Sequence, residues 1–92
     1  MNAQRATRIA CEALGWISQD EAVTTAFLAA TGAEAQSLRA AARDPAFLSA
    51  VLDFVMADEG QARGFCLHAG LSAEELHAAR AHLPGGDLPH WT

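Results

Sequence analysis

The apolar residues of this chain recur with a helical period almost from end to end, and glycine stops and serine or aspartate starts cut the pattern at short intervals. No stretch alternates as a strand would. The first helix is expected over about Ala3 to Ile17, with Ala6, Ile9, Ala10, Ala13, Leu14 and Ile17 on one face. Ser18 and Glu21 then read as an S-x-x-E capping box opening a second helix. That helix ends at Gly32, where a left-handed residue costs glycine nothing. A third, shorter helix is expected from about Glu34 to Arg43. Asp44-Pro45 supplies an N-cap and a proline at the first helical position, where a missing N–H does no harm. The fourth helix follows, with Phe47, Leu48, Val51, Leu52, Val55 and Met56 on one face. Asp58 with Gln61 caps a fifth helix that ends at Gly70, and Ser72 with Glu75 forms a second capping box for a sixth, running to about Leu83. Pro84-Gly85-Gly86 stops it, and the remaining DLPHWT has no helical pattern. The expectation is an all-α fold: one domain over residues 1–92, a compact bundle of five to six short helices with an extended tail over 84–92.

Composition supports this reading. Alanine, the best helix former, fills nearly a quarter of the positions. At 51% apolar and 18% charged, the chain is too apolar for disorder. Ninety-two residues bury one core, although a chain of this size hides only about 65% of its unfolded surface. The expected core is Ile9, Leu14, Ile17, Val23, Phe27, Leu28, Leu38, Phe47, Leu48, Val51, Leu52, Val55, Phe65, Cys66, Leu71, Leu76 and Leu83. An internal similarity relates residues 13–41 to 51–79: Leu14 to Leu52, Asp20-Glu21 to Asp58-Glu59, Phe27 to Phe65, Gly32 to Gly70 and Leu38 to Leu76. Two tandem three-helix units would produce it.

A net charge of -5 makes phosphate backbones and anionic membranes poor partners. Every strong cation is an arginine: Arg5, Arg8, Arg39, Arg43, Arg63 and Arg80. The N-terminal stretch has neither a long apolar run nor a small-residue cleavage site, so no signal peptide is expected. The longest apolar run, Ala46 to Ala57, is broken by Ser49 and Asp53 and is far too short to span a bilayer. The expected compartment is the cytoplasm, with Cys11 and Cys66 reduced.

Four constellations were weighed for chemistry. The stretch His68 to Leu76 has the look of a helix-turn-helix corner, but the end that would read DNA carries Glu74 and Glu75, which repel phosphate. A plain helical corner is the better reading. Cys66, His68, His77 and His82 are all possible zinc ligands, yet the spacing C-x-H-x8-H-x4-H fits no standard site. Exposed histidines beside a buried thiol explain them without metal or cofactor. Cys11 and Cys66 fall on apolar helical faces, where a thiol is inert, and the Asp-Glu pairs at 20–21 and 58–59 offset helix dipoles. No catalytic residue emerges, so the expectation is that the chain is not an enzyme. The tail is the fourth: Leu88, Pro89, His90 and Trp91 form either a staple folded back between helices or a docking segment for a partner.

The motifs Ala13-Leu14-Gly15-Trp16, Phe27-Leu28-Ala29 with Gly32, Asp44-Pro45-Ala46-Phe47-Leu48, Val51-Leu52-Asp53-Phe54, Ala57-Asp58-Glu59 and the ending Leu83-Pro84-Gly85-Gly86-Asp87-Leu88-Pro89-His90-Trp91 carry a resemblance. Together they span nearly the whole chain, which resembles a proteobacterial family of short all-helical proteins known only as a domain of unknown function. The resemblance implies a stand-alone cytoplasmic helical protein and carries over no catalytic residue. Members place alanine or leucine where this chain has Gly60 and Gly64, so the fifth helix is expected to fray. The function expected is a protein–protein interaction or adaptor module, its partner another protein or a second copy of itself. The alternative is a helix-turn-helix-like regulator with weak or no DNA binding.

Overall fold

A computed structural model describes residues 1–84, and residues 85–92 lie outside it. Helices α1 (Ala3–Ser18), α2 (Glu21–Thr31), α3 (Leu38–Ala41), α4 (Pro45–Met56), α5 (Glu59–Ala69) and α6 (Ala73–Ala81) are joined by short turns, with no strand among the described residues. The fold is all-α. Its radius of gyration is 12.4 Å, against about 12 Å for a folded chain of this length.

Helix α1 is the hub, packing against α4, α6, α2 and α5. Alanines make that possible. Ala6, Ala10 and Ala13 are fully buried beside Ile9 and Ile17, and their small side chains let neighbouring helices approach. Helix α4 supplies the facing wall with Leu48, Val51, Leu52 and Val55. Phe27 and Phe65 are the largest fully buried side chains. Phe27 meets Phe47 and Phe54 edge-on, with centroids 5.7 and 5.3 Å away, while Phe65 lies 5.7 Å from Trp16. Such pairs add about 0.5–1.5 kcal/mol beyond area burial.

Most helix ends follow the sequence. Gly32 and Gly70 adopt φ of 73° and 70°, the left-handed region. Asp44 accepts from the Ala46 amide, Asp58 from the Gln61 amide, and Ser72 and Glu75 close both halves of their capping box. The second helix departs from expectation. Its N-cap is Asp20, which accepts from the Val23 amide; Ser18 is the last residue of α1, and its hydroxyl donates to Leu14 O. A serine hydroxyl one turn from a free carbonyl is satisfied inside the helix. That leaves the cap to aspartate, an equally good N-cap residue.

The expected helix from Glu34 to Arg43 shrinks to a 3-10 turn, Ala35–Ser37, and the four residues of α3, because only Leu38 there reaches the core. The sixth helix stops at Ala81 rather than Leu83, although Leu83 is buried. Helix α5 is continuous through both glycines. At Gly64 the reason is a close approach: an added Cβ would lie 3.3 Å from Cζ2 of Trp16. The indole lies over the bare backbone, and its packing offsets the roughly 1 kcal/mol of lost helix propensity.

Six residues of the expected core, Leu14, Val23, Leu28, Leu38, Phe47 and Leu71, are half-buried and pack around it. Cys11 is exposed, contrary to expectation. It stands one position past Ala10, about 100° around α1 from the buried stripe.

Candidate functional site

The α4–α5 and α5–α6 turns bring the C-terminal end of α4, one face of α5 and the start of α6 around a groove of about 620 Å³. Met56, Ala62, Cys66, Leu67, Leu71 and Leu76 give it an apolar surface, while Glu59, Arg63 and His77 bring polar atoms to it. Its volume falls within the range of small-ligand pockets. Leu67 is 80% exposed. Phe65 fills the core from the inner face of α5, so the helical period carries Leu67 outward. Glu59 and Arg63 pair one turn apart at 3.6 Å, both in solvent. Such a pair adds little to stability.

The groove's thiol belongs to Cys66, half-buried rather than in the core, which lies 3.8 Å from Ser72 O. Burial pushes its pKa up, and the charge of Glu75 pushes the same way. A thiol held neutral is a poor nucleophile. Glu75 moves in the opposite direction. The Ser72 backbone N–H donates to its carboxylate at 2.9 Å and the Arg5 guanidinium donates at 2.9 Å, holding its carboxyl below the usual range.

A second polar cluster lies beyond one end of the groove. The Pro84 carbonyl accepts from the Ser49 hydroxyl at 2.7 Å and from Arg80 Nη1 at 3.1 Å. Arg80 also grips Asp53 with two hydrogen bonds, of 2.6 and 3.1 Å. Ser49, 4% exposed, is the buried polar residue among those described. It ties the chain leaving α6 to helix α4.

The structure does not gather the candidate zinc ligands. No group of three or more metal-binding side chains forms among the described residues. His82 Nδ1 lies 2.9 Å from Ala78 O on its own helix. At the helix-turn-helix corner, Leu76 packs inward, and the start of α6 presents Glu74 and Glu75. Arg5, Arg63 and Arg80 all hold carboxylates. The tail residues Leu88, Pro89, His90 and Trp91 lie outside the described residues. Sequence reasoning missed the groove. Leu67 was its one available signal, an apolar side chain off the buried face of its helix.

No helix of the described residues is long and apolar enough to cross a membrane. Fold and groove define a small all-helical protein with an open apolar surface. The chain belongs to the family described as Protein of unknown function (DUF3572), which matches residues 3–86. Neither the curated proteins nor the solved structures include a match to it.

Proposed function

We propose that this protein is a non-enzymatic interaction module of the cytoplasm that docks another protein through the α4–α6 groove. One observation carries the reading: Leu67, a large apolar side chain, stands 80% exposed on a groove floored by Leu71, Leu76 and Met56. Isolated exposed leucines are ordinary, but one continuous with an apolar depression marks a contact surface. The partner would present apolar side chains on a short helix or extended segment. Catalysis is not invoked, because the groove's only thiol is held neutral and Glu75 is held by its cap and by Arg5.

Affinity purification from native cells, wild type against Leu67→Asp, tests this reading. The substitution is expected to leave stability within about 0.5 kcal/mol, since the side chain is already in water. A protein retained by the wild type and lost by the folded variant is the expected result. Identical sets of retained proteins would overturn the assignment of the surface.

A further inference from the structure

Helices α4 and α6 share a seam whose rungs are visible. Ser49 meets Pro84, and Asp53 meets Arg80. One turn further along the same stripe of α4 come Met56 and Ala57, and one turn back along α6 come His77 and Leu76, all of which line the groove. The groove therefore opens one rung beyond the Asp53–Arg80 pair, on the seam where Pro84 is pinned.

We propose that this groove is the seat of the chain's own segment 85–92, with Leu88 and Trp91 as its apolar anchors. At 1.5 Å per residue, His77 to Ala73 lie about 10–16 Å back along α6 from Pro84. Gly85 and Gly86 come next in the sequence, and glycine has the backbone freedom a reversal needs. Measured from Gly86 at about 3.3 Å per residue, Leu88 reaches about 7 Å and Trp91 about 17 Å. The pair brackets the groove. The double clamp on the Pro84 carbonyl fixes where the segment starts and cuts the entropy of closing so short a loop. A tethered occupant acts at an effective concentration in the millimolar range, so any outside partner must displace it. The inference uses the groove proposed above but needs no partner. Its test can fail while an intermolecular role stands, and the reverse also holds.

The test is the amide spectrum of the full-length protein, wild type against Trp91→Ala. Resonances of Ala62, Leu67, Leu71 and His77 are expected to shift, equally at every protein concentration. From the other side, Leu67→Asp is expected to move the Trp91 indole N–H resonance, whereas Glu12→Ala on α1 leaves it in place. Leu67 is exposed, so this variant reports without unfolding the chain. Shifts confined to residues 85–92, shifts on another face, or shifts that appear only at high concentration and so mark a second copy would each overturn the proposal.

Discussion

Single residues show how environment, rather than residue type, sets chemistry here. Cys11 and Cys66 both lie on helices, yet one faces solvent and the other is half-buried with its pKa raised by burial and by Glu75. Alkylation at neutral pH should therefore modify Cys11 first and Cys66 much more slowly, as read by mass spectrometry of the two cysteine peptides. Equal rates would show that the groove does not shield its thiol. Glu75 gives a pH signature. Its folded pKa is depressed, first by the Ser72 backbone N–H and then by Arg5. The stability this contributes is present above the unfolded value, about 4.3, and is lost as pH falls through the folded value. Glu75→Gln keeps a side chain able to cap Ser72 but removes the charge. It should flatten the fall in melting temperature below about pH 4.3. A variant whose acid limb matches the wild type would show that Arg5 and the cap do not bias this carboxyl.

Among elements, helix ends were read more surely than helix lengths. Gly32 and Gly70 were legible because a stop needs φ > 0 and few residues other than glycine supply it cheaply. The Ser18 cap was misread because serine, unlike glycine, has a second use: its hydroxyl can bond back to the carbonyl four residues earlier. Substitution separates the two assignments. Asp20→Ala should cost about 1 kcal/mol by removing the true cap, while Ser18→Ala should cost much less. Urea unfolding measures both, and a larger loss at Ser18 would restore the sequence reading. Helix α5 teaches a related lesson. Its glycines read as weaknesses, since helix propensity is local, whereas the indole of Trp16 that occupies the space over Gly64 comes from α1. Nothing in the spacing along one helix announces a partner on another.

For the whole molecule, the all-α architecture was legible because every apolar face had a helical period and a cap. The hub role of α1 was less visible, since alanines that allow close helix approach look the same as alanines that merely favour helix. The related positions in residues 13–41 and 51–79 take matching roles: Asp20 and Asp58 are N-caps, Phe27 and Phe65 are fully buried, and Gly32 and Gly70 are left-handed. Their final helices differ, four residues in α3 against nine in α6. That asymmetry bears on function. The longer α6 carries Arg80 to the Pro84 clamp and forms a wall of the groove, and the short α3 builds no such wall. The groove was illegible in sequence because it is made by three helices meeting at an angle, not by a motif in any one of them.

The account turns on that groove being the face by which the protein meets another. The most direct measurement is photocrosslinking in cells with a photoreactive amino acid at position 67, and at position 12 on α1 as the control. The account predicts a discrete adduct to a second polypeptide from position 67 and none from position 12. Adducts equal at the two positions, or an adduct from 67 confined to the protein's own chain, would contradict it.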